Sequence, residues 1–389
     1  MDVDTAHAVI PEQVERVYCR DDAGQVAFVV RNGLWTLPEW TETQHSARVE
    51  LCRHTTPAGF EERFLTRILV GARVPQDAIA LHPQALLGQW ERRDVNIEPA
   101  TLTALRPTRI DGEETVPGVR VIPLLTPTLP PATHTNCYVL GPRNGLIVDP
   151  GTHSIDELER LYVALDRHVG RYGPLKAIVL THHHRDHIGG VVALARRTRL
   201  PIWAHEKTAE LIPIPVDFAI ADESVLIDDW IALHTPGHAP GHLALLRKRD
   251  STVIMGDLVA SVGTILIDPR DGHMGQYLAS LERIKSMSPS CLHPAHGGPV
   301  WKAKEHLERY LMHRKWRENL VVNALTESPR PLSTVTTSAY PQAPPSLLPL
   351  AQRSALAHLL WLEEKKLASE IPGGWVRQAA KGTGGQSAS

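Results

Sequence analysis

The chain has 389 residues, of which 42% are hydrophobic, so it can form sizeable apolar cores and is long enough for two or three folding units. Its 41 basic and 43 acidic residues give a formal net charge of −2, which excludes a global electrostatic attraction to nucleic acid or anionic membrane. The acidic start and the lack of a long apolar run in the sequence predict a cytoplasmic protein without membrane partners. The four cysteines form no CxxC pair, which argues against a disulfide framework or a zinc ribbon.

The first part of the chain carries no catalytic motif. Residues 26–30 have a strand-like pattern, and residues 61–70 have a pattern that predicts a helix. We interpret residues 1–115 as an N-terminal accessory domain.

The pattern changes between residues 116 and 300 to short apolar runs that end in polar or glycine-containing turns. We predict strands at 119–125, 136–140, 145–148, 177–180, 201–204, 230–233, 242–246 and 252–255, and helices at 154–169, 190–197 and 274–286. Strands interspersed with helices indicate an α/β domain rather than an all-β sandwich. We therefore expect a catalytic α/β domain over 116–300, with its chemistry where the strands end.

The last part of the chain is predicted to be mainly helical. Helical patterns cover 302–325 and 350–368, a proline-rich segment lies between them at 329–349, and a short apolar segment follows at 373–377. Helices followed by such a hairpin-like end indicate a small winged-helix module over 301–377. The small and polar residues 378–389 predict a disordered tail.

The most informative motif is the segment 177–190, AIVLTHHHRDHIGG, in which a β-branched strand runs into a turn rich in metal-binding side chains. In this HxHxDH pattern a turn can direct the alternate histidines, His182 and His184, towards one ion. The last two positions, Asp186 and His187, can then face a second ion. His183 and Arg185 lie between these positions and are expected to point elsewhere. Taken alone, the turn is also compatible with a solvated histidine-rich segment.

Three later strand ends supply further donors. The TPGH loop at 235–238 can present His238, and the strand at 252–255 leads to Asp257, whose carboxylate can bridge two cations. His296 follows in the segment HPAHGGP. Together with the turn residues, these side chains make two metal sites that share one carboxylate, which a solvated turn does not explain.

The order HxHxDH, TPGH, GD and HG resembles the metallo-β-lactamase superfamily. The resemblance covers about residues 118–300 and implies an αββα sandwich with a binuclear centre. TNCYVLG at 135–141, THHHRDHIGG at 181–190 and HGGPV at 296–300, followed by a helix, resemble the β-lactamase-like protein two group, which also has a C-terminal winged helix. The N-terminal third lies outside the resemblance.

The resemblance also assigns roles to single residues. It implies a first zinc held by His182, His184 and His238, a second held by Asp186, His187 and His296, and Asp257 bridging both. Asp149, in LIVDPG, matches an acidic residue of the superfamily whose carboxylate accepts the second ring N–H of a metal-binding histidine. Two zinc ions per chain are expected, and iron or manganese also suit such donors. We expect His205 and His234 to be bystanders.

Two ions that share a bridging water can lower its pKa, and Asp186 can orient it, so the expected reaction is hydrolysis with Asp186 and Asp257 as catalytic residues. We favour a small-molecule ester, a thioester or lactone, as substrate, because the chain resembles the compact esterase and thioesterase members of the superfamily, with no additional domain between Asp257 and His296. β-Lactam hydrolysis is disfavoured because a fold hosts many chemistries.

Two alternatives remain open. The first is an endoribonuclease acting on single-stranded RNA, because the group that the chain resembles includes such nucleases. A local basic cluster would support it, although a solvated helix face is the more ordinary explanation of that cluster; its members are Lys302, Lys304, Arg309, Arg314, Lys315 and Arg317. The second is a non-catalytic metal-binding regulatory module, although a structural zinc site is normally closed by four ligands. Because the helix at 302–325 begins a few residues after His296, we expect the C-terminal module to complete either the substrate cleft or an oligomer interface.

Overall fold

The computed structural model describes residues 113–129, 132–261, 263–343 and 345–378, together with the backbone of short strands between residues 15 and 97. These strands are β1 Glu15–Cys19, β2 Val26–Arg31, β3 Leu34–Thr36, β4 Val49–Thr55, β5 Glu61–Arg67, β6 Ile79–Leu81 and β7 Asn96–Ile97. The predicted helix at 61–70 is wrong, because β5 pairs with β1 and β4. Phe64, Leu65, Ile68 and Leu69 are spaced as on one face of a helix, but the pairing of β5 with two other strands decides the structure. The interpretation of 1–115 as an accessory domain stays a prediction, and the tail from residue 379 lies outside the described residues.

The first sheet of the central region has seven strands in the order β14-β13-β12-β11-β10-β9-β8. They are β8 Glu113–Val116, β9 Val119–Leu125, β10 His134–Leu140, β11 Gly145–Val148, β12 Leu175–Val179, β13 Ile202–His205 and β14 Phe218–Ile220. The strands from β11 to β14 run parallel, as strands joined by helical crossovers do. The connecting helices are α1 Ile155–Tyr172, α2 Arg185–Ile188, α3 Val191–Thr198 and α4 Glu206–Leu211.

The second sheet has five strands in the order β15-β16-β17-β18-β19. They are β15 Val225–Ile227, β16 Trp230–His234, β17 Leu243–Arg247, β18 Thr252–Gly256 and β19 Cys291–Pro294. Helix α5, Met274–Ser286, crosses between β18 and β19, which pair in parallel. The predicted α/β architecture is therefore confirmed.

Three apolar clusters arrange these elements in layers. One joins the facing surfaces of the two sheets and includes Val148, Val179 and Leu245. A second packs α1 and α3 against the outer face of the seven-stranded sheet, and a third packs α5 against the outer face of the five-stranded sheet. Since each sheet buries both faces, its central strands are almost continuously apolar. The result is a four-layer α/β/β/α arrangement.

The C-terminal residues form helices and a hairpin. They are α6 Ala303–Ala324, α7 Leu332–Ala339, a short 3₁₀ helix Pro345–Leu347, α8 Leu348–Glu364, and the strands β20 Ala368–Ile371 and β21 Gly374–Arg377. Helix α7 was not predicted, because its Ser, Thr and Val residues have low helix propensity; it is held by the buried side chains of Val335 and Ala339. The winged-helix interpretation of 301–377 stays a prediction. Within the described part of the chain, no helix is long and apolar enough to cross a membrane.

Candidate metal centre

The motif residues lie at one end of the two sheets, where several strands finish. Asp149 follows β11, the HxHxDH turn follows β12, and the loops after β16 and β18 carry His238 and Asp257. In the TPGH loop Gly237 has a φ of +129°, and a Cβ atom there would lie 2.1 Å from the backbone nitrogen of Tyr277. Only glycine permits this close approach to α5. The loop can therefore turn tightly enough to place His238 beside the HxHxDH turn.

A first set of donors surrounds one point. The Nδ1 atom of His184 lies 3.0 Å from Nε2 of His182 and 2.9 Å from Nε2 of His238. The Oδ2 atom of Asp257 lies 3.4 Å from Nε2 of His238 and 3.9 Å from Nε2 of His182. Four donors placed tetrahedrally at zinc-ligand distances are about 3.4 Å apart. The spacing of this set thus fits a single metal ion.

A second set lies on the other side of Asp257. Its members are Asp186, His187 and His296, and Oδ2 of Asp186 lies 3.9 Å from Nε2 of His187 and 3.5 Å from Nε2 of His296. The Oδ1 atom of Asp257 lies 3.5 Å and 3.2 Å from the same two nitrogens. One carboxylate therefore faces both sets, with a different oxygen towards each.

Two buried polar atoms at this point make no hydrogen bond to any residue that the structure describes: Nε2 of His187 and Oδ1 of Asp257. Leaving such atoms unsatisfied costs several kcal/mol, about 2–7 for a group without a partner. A divalent cation would satisfy both. The donor types, their spacing and these orphaned atoms therefore fit the binding of two metal ions.

The protonation of the histidines differs between the two donor sets. Burial and the neighbouring imidazoles lower the pKa of His182 well below its usual value and that of His238 to about 4, so both are neutral near pH 7. Burial alone would raise the pKa of Asp257, but His296 and His187 hold it well below the usual range. At His187 burial lowers the pKa, but the nearby carboxylates of Asp257 and Asp149 raise it more, so the pKa lies well above its usual value. Neutral imidazoles and an ionised carboxylate are the forms that bind metals, so His182, His238 and Asp257 already have the required form, whereas His187 has to lose a proton when an ion binds.

Each histidine of the two sets has its second ring nitrogen held by another group. The contacts are His182 Nδ1 to Thr181 Oγ1 at 3.0 Å, His184 Nε2 to Asp271 Oδ2 at 3.0 Å, His187 Nδ1 to Asp149 Oδ2 at 2.8 Å, His238 Nδ1 to the Leu266 carbonyl at 2.9 Å, and His296 Nδ1 to the His134 carbonyl at 2.9 Å. Such partners fix the orientation and tautomer of a ligand histidine. The predicted contact between Asp149 and a ligand histidine is thus present in the geometry.

Sequence reasoning missed Asp271. Its carboxylate lies 87 residues after His184 and contacts both His184 and His183, the latter at 2.9 Å. No motif surrounds it, so only the fold brings it to the site. His183 therefore points towards Asp271 rather than into the two donor sets.

The remaining histidines near the motifs lie outside the two sets. Nε2 of His242 accepts the backbone N–H of Asp257 at 3.0 Å, and its Nδ1 lies 2.9 Å from Oγ1 of Thr235. His242 thereby positions the Asp257 backbone. His205 and His234 stack on each other with 4.0 Å between ring centroids, as expected for bystanders.

A cavity of about 750 Å³ opens over the two donor sets. Its walls include residues 127–129, 132, 260, 264–266, 268, 270 and 271 and, from the C-terminal part of the chain, Tyr340, Leu347, Leu350, Ala351, Arg353 and Ser354. The C-terminal residues thus form part of the cleft, one of the two roles expected for them. Arg185, expected to point elsewhere, also lines this cavity.

The basic cluster on α6 is not a continuous surface patch. Arg314 is 2% exposed, its guanidinium lies 5.0 Å from the centre of the Tyr277 ring, and it donates to the carbonyl of Ile265. Arg317 lies 3.9 Å from the centre of the Tyr340 ring, and Lys315 pairs with Glu318 at 2.8 Å. Arg314 is therefore buried and unavailable to phosphate groups, so it does not belong to a basic surface on α6.

Comparisons with known proteins agree with this geometry. Residues 130–296 match a family model described as the metallo-beta-lactamase superfamily. The chain is 27% identical over 222 residues to the Beta-lactamase-like protein 2 homolog of Caenorhabditis elegans, which covers 54% of this chain and 72% of that protein. It is 34% identical over 120 residues to a hydroxyacylglutathione hydrolase of Bdellovibrio bacteriovorus, which covers 30% of this chain and 47% of that protein.

A solved structure shares the fold. The crystal structure of a Beta-lactamase domain protein from Burkholderia ambifaria matches with a TM-score of 0.62 and 22% identity, and covers 70% of this chain and 94% of that chain. This coverage is larger than the span of the family model, so the similarity in fold extends beyond residues 130–296.

Proposed function

We propose that this chain, which carries a metallo-β-lactamase domain over residues 130–296, is a metal-dependent hydrolase that binds two zinc ions and hydrolyses a thioester. The observation that carries the proposal is the position of Asp257, whose two oxygens face two different donor sets. The first ion is assigned to His182, His184 and His238, the second to Asp186, His187 and His296, and Asp257 is shared. Nitrogen-rich donor sets favour zinc, and the same donors accept iron or manganese.

Hydrolysis of a thioester breaks the C–S bond, adds the hydroxyl of water to the acyl carbon and gives a proton to the sulfur. Bound divalent cations would supply the Lewis acidity that polarises the carbonyl. Asp186 lines the cavity, so its carboxylate can accept the proton that the attacking water loses and return it to the leaving sulfur. Asp149, Thr181 and Asp271 keep the histidines oriented throughout.

Two observations favour a thioester among the possible esters. The relative from Bdellovibrio bacteriovorus is named a hydroxyacylglutathione hydrolase, and hydroxyacylglutathione is a thioester. The cavity is also lined by the apolar side chains of Leu129, Leu347 and Leu350, which suit an acyl chain. Its volume of about 750 Å³ is appropriate for a small molecule.

The ribonuclease alternative has less support, because the buried Arg314 is removed from the basic cluster. Turnover of a thioester panel, a lactone panel and single-stranded RNA by zinc-loaded protein separates the possibilities. We expect thioester cleavage in wild type and its loss in Asp186→Asn. The variant His205→Gln, outside both donor sets, serves as the control.

Two other outcomes would overturn the proposal. Cleavage of RNA without thioester turnover would favour the endoribonuclease. Tight zinc binding without turnover of any of the three panels would favour a regulatory metal-binding module.

A further inference from the structure

The charged side chains that line the cavity are almost all engaged with one another. Arg270 and Arg353 lie 2.6 Å and 3.2 Å from the same oxygen of Asp268. Asp271 holds His183 and His184, and the other lining carboxylates, Asp186 and Asp257, belong to the metal-binding sets. These groups are thus paired within the protein or belong to the metal-binding sets, and Arg270 and Arg353 share one carboxylate.

Arg185 is the exception. It lines the cavity and is exposed, and its side chain has neither an ion pair nor a hydrogen bond with any residue in the described ranges. It is the first residue of α2 and lies between His184 and Asp186, so the fixed turn holds its backbone next to the reacting centre. A lining cation without a protein partner is free to bind a ligand.

The chemistry of a guanidinium defines that ligand. Its planar N–H donors match the oxygens of a carboxylate or phosphate and bind them in a bidentate manner. The same cavity presents the apolar side chains of Leu129, Leu347 and Leu350. An occupant that satisfies both features has an anionic group and an apolar segment.

We propose that Arg185 recognises an anionic group of the substrate, and that the substrate is a thioester carrying a carboxylate or phosphate beside an apolar segment. The identity of the cleaved bond rests on the proposed function, whereas anion recognition by Arg185 does not. A carboxylate on the acyl part and a phosphate on the thiol part are two sources of the same chemistry. Arg185 is thus a specificity-determining residue.

Kinetics test this inference with three matched substrates: hexanoyl-N-acetylcysteamine, which is neutral; adipoyl-N-acetylcysteamine, with an acyl carboxylate; and hexanoyl-coenzyme A, with phosphates on the thiol part. We expect wild type to favour at least one anionic substrate by about 10-fold or more in kcat/KM, because a charge-assisted hydrogen bond is worth such a factor. In Arg185→Gln this ratio should fall to within about twofold. Arg270→Gln removes another lining cation, one already paired with Asp268, and should keep the wild-type ratio.

Equilibrium binding gives a readout that does not depend on turnover. Amide analogues of the three compounds, in which NH replaces sulfur, are titrated calorimetrically into the metal-loaded wild type and both variants. The expected result is tighter binding of an anionic analogue, by about 10-fold or more, that is lost in Arg185→Gln and kept in Arg270→Gln.

The outcomes separate the two proposals. Anion-selective binding that depends on Arg185, without thioester turnover, would overturn the proposed reaction and support this inference. Thioester turnover with equal preference for neutral and anionic compounds, or a preference that survives in Arg185→Gln, would overturn the inference alone. Arg185-dependent binding of a single-stranded RNA oligomer, with none of the small anions bound, would replace the small-molecule ligand by RNA.

Discussion

The Nε2 atom of His184 lies 3.0 Å from Oδ2 of Asp271, the oxygen that Nε2 of His183 also approaches at 2.9 Å. One carboxylate therefore holds two consecutive histidines. By accepting the Nε2–H of His184 it leaves Nδ1 of that ring directed towards His182 and His238. The loop that carries Asp271 is thus tied to the metal-binding turn.

This contact predicts the effect of Asp271→Asn. The neutral amide is a weaker acceptor for the His184 ring, so metal affinity should fall by roughly 10- to 100-fold while the fold is retained. Competitive titration with a chelating dye measures the affinity. Asp166→Asn, which alters an exposed carboxylate paired with Arg197, is the matched control. Equal affinities for wild type and Asp271→Asn would show that the contact does not orient His184.

Asp257→Ala should be far more damaging to the site. Because Asp257 faces both donor sets, its removal is expected to release at least one metal ion and abolish turnover, with little change in circular dichroism. Elemental analysis and kinetics on the same preparation measure both effects. His205→Ala, which changes a histidine stacked on His234, should be mild. Comparable damage in the two variants would refute the division between ligands and bystanders.

Arg314 is predicted to act in stability rather than in ligand binding. Arg314→Ala should lower the free energy of unfolding by about 2–4 kcal/mol, since it removes a buried guanidinium that packs on Tyr277 and leaves the Ile265 carbonyl without its donor. Lys315→Ala should cost less than about 1 kcal/mol, because its ammonium is largely exposed. Denaturant unfolding compares the two variants. A neutral effect of Arg314→Ala would contradict the buried role.

His358 is predicted to make stability depend on pH. Burial lowers its pKa to about 3, and the neighbouring Arg314 acts in the same direction. The unfolded chain takes up a proton below about pH 6.5, whereas the folded chain does so only near pH 3, so stability falls as the pH decreases between these values. At pH 5 the loss is about 2 kcal/mol. His358→Leu should flatten this dependence in melting experiments from pH 7 to pH 4, and an unchanged slope would count against a buried neutral imidazole.

The periodic helices and strands and the motif residues could be predicted from the sequence, because both are recognised from residues that are close together in the chain. Strands β9 and β11 and helix α5 have the predicted bounds. Tertiary contacts are not local, and they decide the rest. Helix α7 exists through packing against α6 and α8, and β5 is a strand because it has partners.

The candidate site divides in the same way. The seven donors follow strand ends and could be found by pattern, whereas Asp271 and the Leu266 carbonyl reach the histidines only through the loop after β18. Arg185 could be assigned only once its neighbours were known, since its significance lies in the pairing of Arg270 and Arg353 with Asp268. Which charged side chains of a cavity pair with each other depends on the fold, so it could not be predicted from the sequence.

The central claim is that two metal ions share Asp257. Its most direct test is the metal content of protein saturated with zinc and freed of unbound metal by gel filtration, measured by elemental analysis against protein concentration. Two donor sets on either side of one carboxylate predict two zinc equivalents per chain. A content that stays at or below one equivalent under saturating zinc would contradict the claim.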